Sequence, residues 1–279
     1  MPAAEEKQLK RLGIIAGGGA LPLQVLRACR DRGIAPFVVA FTGQTDAATY
    51  NDAPHILTRL GAAGTVIGAL KKNDIRDLVL IGNMRRPSLL ALRPDFKALQ
   101  FFLKKGLRAL GDDGLLRALR KFLEEEGFTI HGAQDFLPEL LMPSGRIGKC
   151  EPNAAQWQDI KRGIEAALAL GAADIGQAVV VQHGEILGTE GKGGTDELIR
   201  SCAPLQREGA GAVLVKLCKP GQDRDLDLPT IGAQTVRNII EAGFSGLVAH
   251  AGQSFLCDRE EVTALADRAN IFVMGIEAA

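Results

Sequence analysis

The hydrophobic pattern along the first third of the chain alternates short, continuous apolar runs with longer segments of helical periodicity. The apolar runs predict strands at 12–16, 36–41 and 77–82, and helical patterns lie between them at 21–32 and 63–73. Strands that alternate with helices are typical of a parallel sheet crossed by helices. The sequence therefore predicts an α/β fold that begins with a Rossmann-like series of strands and helices.

The middle of the chain has a different pattern, which is purely helical from 94 to 127. Phe96 and Leu99 begin an apolar series at helical spacing, and a turn at 111–114 divides the segment into two predicted helices. Between residues 85 and 121 the chain carries ten Lys or Arg and three Asp or Glu. A basic and apolar helical surface is typical of a membrane contact or a lipid cleft, although a solvated face of a helix bundle explains it equally well.

A second domain is predicted beyond residues 141–153, which contain two prolines, two glycines and no periodicity. We place the boundary so that a Rossmann-like domain with the helical segment spans 1–143 and a C-terminal α/β domain spans 144–279. The C-terminal domain has predicted helices at 154–170, 196–206, 233–242 and 259–269, and predicted strands at 178–182, 185–187, 212–217, 246–249 and 271–274. His183 and Gly184 separate the first two of these strands and predict a hairpin turn.

Composition and charge narrow the function classes. The chain has 279 residues, with 33 Lys or Arg against 33 Asp or Glu, so no net charge attracts nucleic acid over the whole surface. The five cysteines are scattered, which argues against a disulfide framework or a zinc site and favours a reducing cytosol. No apolar run approaches the roughly 20 residues that span a bilayer. We therefore expect a soluble, cytoplasmic protein that does not bind nucleic acid.

The first glycine-rich loop is a candidate phosphate site. Gly17, Gly18 and Gly19 follow the first predicted strand and would let backbone N–H groups approach a phosphate at a helix N-terminus. A tight turn between strand and helix is the alternative. A dinucleotide site is disfavoured, because Pro22 stands where the fingerprint needs a third glycine and no acidic residue ends the second strand.

A second glycine-rich loop, at 191–194, leads into a predicted helix. Gly193 and Gly194 precede Thr195 and Asp196, one of which is the predicted N-cap. A capped helix explains this pattern, but the density of glycines exceeds what a cap requires. Free N–H groups there would suit an anionic ligand.

Polar residues also follow the predicted strand at 77–82. Asn83, Arg85 and Arg86 leave its carboxyl end, where ligands of open α/β sheets bind, and guanidinium groups suit a phosphate. A solvated loop explains the same arginines almost as well.

The most specific stretch of the chain carries three alternating aspartates, Asp223, Asp225 and Asp227. In an extended chain their carboxylates would share one face, which is costly without a cation. With Lys216 and Lys219 nearby, the all-oxygen ligands predict a Mg²⁺ ion that bridges to a substrate phosphate, and such a site also accepts Mn²⁺. A polar edge strand is the alternative.

The histidines give little support for other chemistry. His183 is expected to be exposed at its hairpin tip, and His250, which ends a predicted strand, is a weaker site candidate. Neither G-x-S-x-G nor H-E-x-x-H occurs in the sequence.

Four motifs from both halves of the chain carry a family resemblance. In order they are GIIAGGGALP, GNMRRP, GGTD and KPGQDRDLDLPTIGAQTV. Together they resemble the UDP-2,3-diacylglucosamine pyrophosphatase family of lipid A biosynthesis, the type found in Gram-negative bacteria that lack the calcineurin-like enzyme for this step. The resemblance implies a magnesium-dependent, two-domain hydrolase that binds its ligand between the domains and releases UMP and 2,3-diacylglucosamine 1-phosphate.

The resemblance and the residue patterns described above together give the expected site residues. We expect Asp225 to be the central catalytic residue because Asp223 and Asp227 flank it, with Lys216 neutralising the pyrophosphate charge. The expected substrate-binding residues are Gly17, Gly18, Gly19, Asn83, Arg85, Gly193, Gly194, Thr195, Asp196, Lys219 and Gln222. The expected partners are the UDP-sugar substrate, the lipid monophosphate product and, transiently, the inner-membrane surface, and a homodimer is left open.

Two other functions remain open at the level of sequence. In a non-catalytic carrier of nucleotide sugars or lipid phosphates, the same loops would bind and the aspartates would only hold structure. A dinucleotide oxidoreductase is disfavoured by its incomplete fingerprint.

Overall fold

The computed structural model describes residues 9–84, 92–105 and 112–278, apart from the side chains of 102–105, 112 and 113. The chain divides into two compact units, Met1–Pro138 and Glu139–Ala279, which we call the N-terminal unit and the C-terminal unit. Each unit combines helices with its own sheet. The predicted α/β fold class is therefore confirmed.

The N-terminal unit is built on a five-stranded parallel sheet in the order β3-β2-β1-β4-β5. Its strands are β1 (Arg11–Ala16), β2 (Ala35–Phe41), β3 (His55–Thr58), β4 (Asp77–Ile81) and β5 (Thr129–His131). Its helices are α1 (Leu21–Asp31), α2 (Ala47–Tyr50), α3 (Ala63–Lys72), α4 (Phe96–Lys105) and α5 (Asp112–Glu125). The strand order reverses between β1 and β4, and the carboxyl edge at such a point is where open α/β sheets bind ligands.

The central strands of this sheet are apolar on both faces, because side chains that point to either side of it are buried. Leu12, Ile14, Val38 and Val39 are fully buried. Such strands read as continuous hydrophobic runs in the sequence, which is why β1, β2 and β4 are predictable.

The C-terminal unit contains a six-stranded mixed sheet in the order β6-β13-β11-β9-β7-β8. Its strands are β6 (Gly145–Ile147), β7 (Ala178–Gln182), β8 (Glu185–Thr189), β9 (Val213–Lys216), β11 (Gly246–His250) and β13 (Phe272–Ile276), and a separate pair joins β10 (Thr230–Ile231) to β12 (Phe255–Leu256). The three central strands β9, β11 and β13 are parallel, while β6 and β7 run antiparallel to their neighbours. Polar residues at the ends of β9 and β11 therefore lie along one edge.

Helices cover both faces of this sheet. Those of the C-terminal unit are α6 (Ala154–Ala172), α7 (Gly194–Cys202), α8 (Ala233–Glu241) and α9 (Arg259–Ala269). Ile160 and Ala167 of α6 pack with the residues of one face, and the other three helices pack on the opposite face. Helix α6 begins in a capping box, in which Asn153 and Gln156 each accept a hydrogen bond from the backbone N–H of the other.

We examined whether any helix in the described part of the chain could span a membrane. None of them is both long and apolar enough to cross a bilayer.

Candidate functional site

The carboxyl edge of the C-terminal sheet carries a buried lysine. Lys216 is the last residue of β9, is 8% exposed, and its Nζ donates a hydrogen bond of 3.2 Å to the carbonyl of Thr230. Burial lowers the pKa of Lys216, whereas the carboxylates of Glu190, Asp227 and Asp196 oppose that shift. Two predicted site residues, Asp196 and Asp227, thus lie within electrostatic range of a third, Lys216.

Glu190 belongs to this cluster and was missed from the sequence. It follows β8 and is 7% exposed. Its Oε2 accepts a hydrogen bond of 2.8 Å from the N–H of Gln177, and its Oε1 accepts one of 2.6 Å from the hydroxyl of Thr195. In the sequence, Glu190 stands between the end of a predicted strand and a glycine-rich loop. That position does not show that its side chain is buried.

The three aspartates lie in a turn, so the prediction of an extended chain is wrong. The carbonyl of Asp223 accepts hydrogen bonds from the N–H groups of Leu226 and Asp227, at 3.1 and 3.0 Å. Its carboxylate Oδ1 accepts another from the N–H of Asp225 at 3.2 Å. An aspartate readily bonds the backbone two residues ahead, and here that preference closes a turn in place of a strand.

This turn is braced by Gln222, which is buried. The Nε2 of Gln222 donates to Asp227 Oδ2 at 2.7 Å, and its Oε1 accepts from the N–H of Lys219 at 3.0 Å. Lys219 itself forms an ion pair with Asp174, in which Nζ and Oδ1 are 2.9 Å apart. Gln222 and Lys219 therefore fix the loop, and their predicted contact with substrate stays a prediction.

The described residues do not form a preorganised metal site. Among them, no group of three or more His, Cys, Asp or Glu side chains is placed to hold a metal ion. The aspartates of the turn are thus not a preformed three-carboxylate ligand set.

The second glycine-rich loop begins α7 without the predicted cap. The helix starts at Gly194, its N-cap is Gly193, and no side chain caps it. The prediction of Thr195 or Asp196 as N-cap is wrong because both lie in the first turn and bond elsewhere. Thr195 donates to Glu190, and Asp196 Oδ1 accepts from Nδ2 of Asn238 at 2.7 Å.

Two buried polar side chains near the end of β11 have atoms without a hydrogen-bond partner. They are His250, 4% exposed, with its Nδ1, and Ser254, fully buried, with its Oγ. Burial and the nearby Arg224 lower the pKa of His250, and a backbone hydrogen bond with Ala278 opposes this shift. Unsatisfied buried polar atoms are rare, and one explanation is a ligand that they bind.

The backbone N–H groups of the first glycine-rich loop are hydrogen-bonded to neighbouring segments of the N-terminal unit. The N–H of Gly17 donates to Ile81, and Gly18 and Asn83 exchange backbone hydrogen bonds of 2.8 and 2.9 Å. The N–H of Gly19 donates to Asp46 Oδ2 at 2.8 Å. The expectation of open N–H donors is therefore wrong, because each of the three already has an acceptor in the protein.

These glycines are needed for close approach of the backbone. A Cβ at Gly17 would lie 2.6 Å from the carbonyl oxygen of Asn83, and one at Gly18 would lie 2.8 Å from the carbonyl oxygen of Gln44. Asn83 is exposed at this edge, whereas Arg85 lies outside the described residues. The substrate-binding roles predicted for all of them stay predictions.

Fold and site together define a class: a two-unit α/β protein with buried charged groups at the carboxyl edge of its second sheet. Comparison with known proteins gives the family. Residues 11–140 match the model of the LpxI N-terminal domain, and residues 143–274 match that of the LpxI C-terminal domain. The chain belongs to the LpxI family, which confirms the resemblance found in its motifs.

Two known proteins differ greatly in their similarity to this chain. The UDP-2,3-diacylglucosamine pyrophosphatase LpxI of Caulobacter vibrioides is 36% identical over 276 residues, which are 96% of this chain and 98% of that protein. A solved structure of glycinamide-RNase-transformylase T from Mycobacterium tuberculosis shares 12% identity over 65% of this chain and 44% of that chain, with a TM-score of 0.26. A likeness that slight supports no inference.

Proposed function

We propose that this chain hydrolyses the pyrophosphate bond of UDP-2,3-diacylglucosamine, releasing UMP and 2,3-diacylglucosamine 1-phosphate in lipid A biosynthesis. The observation that carries the proposal is the match over nearly the whole length of both chains with a relative named for that activity. Buried polar groups at one sheet edge of the C-terminal unit support it, because a reaction at a pyrophosphate needs fixed charges in a site from which water is largely excluded.

The proposed chemistry assigns separate roles to Lys216 and Asp225. The ammonium of Lys216 is buried, so its attraction to a phosphate oxygen is screened less than at the surface. Asp225 lies within the turn that Asp223 holds, and we assign it the removal of a proton from the attacking water. The water oxygen then forms a bond to the phosphorus on the sugar side of the pyrophosphate. The bond from that phosphorus to the bridging oxygen breaks, and the nucleotide leaves as UMP.

We further propose Mg²⁺ as the cofactor, with Mn²⁺ as an effective substitute. Mg²⁺ is commonly held by one or two carboxylates together with substrate phosphates, so a cluster of three is not required. Asp223, Asp225 and Asp227 are the residues from which those one or two carboxylates would come. When bound, the ion would neutralise charge on the pyrophosphate.

The acyl chains are proposed to contact α4 in the N-terminal unit. Phe96 and Leu99 are 74% and 45% exposed and lie three residues apart on the helix. Phe101, by contrast, is buried against Phe122, with ring centroids 5.2 Å apart. The exposed pair is the part of α4 available to a lipid, and the same face would support transient contact with the inner-membrane surface.

The direct test is to incubate the purified chain with UDP-2,3-diacylglucosamine and Mg²⁺ and to quantify UMP and the lipid monophosphate. We expect equal amounts of both products. Chelation with EDTA should stop their release, and Mg²⁺ or Mn²⁺ should restore it. Binding of the UDP-sugar without release of UMP would identify a carrier and overturn the proposal, whereas hydrolysis that survives exhaustive chelation would overturn the metal alone.

A further inference from the structure

We propose that Glu190 is a positioning residue for this reaction: it fixes the first turn of α7 through Thr195 and faces Lys216 as a buried counter-charge. The inference rests on the proposed function for its kinetic consequences. The pairing of the two side chains rests on the sheet itself.

Sheet register places Glu190 and Lys216 on the same face. Ala178 of β7 is aligned with Lys216 of β9, and Val179 is aligned with Thr189 of β8. The N–H of Glu190 donates to the carbonyl of Ala178 at 2.8 Å, which continues the pairing by one residue. Residues directly opposite each other in adjacent strands point to the same side, so the three form a row across the sheet.

The middle residue of this row leaves room for the outer two to approach each other. Two strand spacings separate the backbones of Glu190 and Lys216 by about 10 Å, a gap that two long side chains can bridge. Ala178 between them has only a methyl group and is fully buried. A larger residue at Ala178 would fill the space between the two long side chains on this face of the sheet.

The hydrogen bonds of Glu190 hold its carboxylate in place. One oxygen is fixed by the backbone of Gln177 and the other by the hydroxyl of Thr195. A buried carboxylate is costly unless it is hydrogen-bonded, and at this position both carboxylate oxygens are. The negative charges of Asp196 in α7 and Asp227 in the turn also raise the pKa of Lys216, and of the three carboxylates Glu190 acts most strongly on it.

Three variants separate the two roles of Glu190. Glu190→Gln removes the charge, while its amide can accept from Gln177 and donate to the hydroxyl of Thr195. Thr195→Val removes that hydroxyl and keeps the charge. Glu185→Gln is the matched control, because Glu185 is an exposed residue of β8, the strand that Glu190 follows.

We expect Glu190→Gln to lower kcat about tenfold, with KM nearly unchanged, and to move the alkaline limb of the pH profile to lower pH. The limb moves because Lys216, with less negative charge near it, loses its proton more easily. Thr195→Val should raise KM and leave the limb in place, and Glu185→Gln should match the wild type. Wild-type kcat and pH profile in Glu190→Gln, or a lower kcat with an unmoved limb, would overturn the inference.

A second measurement tests the pair without any activity. In urea unfolding of the full chain, a double-mutant cycle of Glu190→Gln and Lys216→Met should show coupling of about tenfold in the unfolding equilibrium constant. That coupling is expected even if the wild type releases no UMP, which would refute the proposed function alone. Absence of coupling would refute the pairing even if UMP release is normal.

Discussion

In the N-terminal unit, the loops at the carboxyl ends of β1 and β4 bond to each other through backbone groups, whereas the equivalent edge of the C-terminal unit carries buried polar side chains. The N–H groups of Gly17, Gly18 and Gly19 all have protein acceptors. Lys216 and His250, in contrast, end adjacent strands and are both buried. The glycines of the N-terminal unit thus allow close packing of the backbone. The buried polar side chains of the C-terminal unit are instead the candidates for catalysis.

The glycines of the two loops differ in the space around them. A Cβ at Gly17 would clash with the backbone of Gly82 and Asn83, whereas one at Gly191 would meet no heavy atom within 4 Å. Glycine density in the sequence therefore reports either tight packing or open space, and only the structure distinguishes them.

The largest expected effect tests the C-terminal edge. Asp225→Asn should lower kcat at least about a hundredfold. An amide cannot accept the proton of the attacking water, and it lacks the negative charge of a carboxylate. Its urea unfolding curve should match that of the wild type. Asp258→Asn is the control, since Asp258 is exposed and has a φ of 54°, which asparagine tolerates. Equal losses of stability and activity in Asp225→Asn would assign this aspartate a structural role only.

The next effect tests the packing role of the first glycine loop. Gly17→Ala should lower the free energy of unfolding by about 2 kcal/mol, because its Cβ would lie 2.6 Å from backbone atoms that cannot move independently. Gly191→Ala should change the free energy of unfolding by less than about 0.5 kcal/mol. Equal stability of the two variants would remove the contrast between the loops.

A smaller effect asks whether the N-terminal unit contributes to lipid binding. Phe96→Ser should raise KM for the diacyl substrate about tenfold and leave KM for a deacylated analogue unchanged, because only the former offers apolar area to this side chain. Ile175→Ser, at a residue 62% exposed in the C-terminal unit, should alter neither. If both substrates respond alike to Phe96→Ser, the acyl chains bind elsewhere.

The smallest effect concerns His250. The pKa of His250 in the folded state lies below the ordinary value of 6.5. As the pH falls below about 6.5, this histidine therefore binds a proton more readily in the unfolded chain, and the free energy of unfolding decreases. His250→Gln should therefore lose less stability than the wild type between pH 7 and pH 5. The exposed His183, replaced by Asn, provides the control. Parallel pH dependence in wild type and His250→Gln would contradict this assignment.

Long regular elements could be predicted from the sequence, and short ones could not. The hairpin predicted from two strand patterns that meet at His183 and Gly184 is confirmed, and both residues adopt a positive φ, 53° and 75°, as a tight turn of two residues requires. Strands β3 and β5 were missed because four and three residues give too little pattern to detect.

The chemistry of the site was predictable in its residue types and less so in its geometry. Lys216 and Asp227 were expected in one site, and the carboxylate of Asp227 acts electrostatically on Lys216. The turn at Asp223 was missed because alternation of charge favours a strand, while local side-chain hydrogen bonds favour a turn. Glu190 was missed because its burial depends on strand pairings between distant parts of the chain.

Asp159 of α6 has a consequence for the order in which the C-terminal unit assembles. Its carboxylate accepts hydrogen bonds from the N–H groups of His183 and Gly184, at 3.2 and 2.6 Å, and so ties the tip of the β7–β8 hairpin to the helix that precedes it. These bonds join residues 24 and 25 positions apart, so closing their loops costs less entropy than pairing β6 with β13, which are far apart in sequence. We therefore expect the helix and hairpin to form a folding nucleus onto which the parallel strands assemble later.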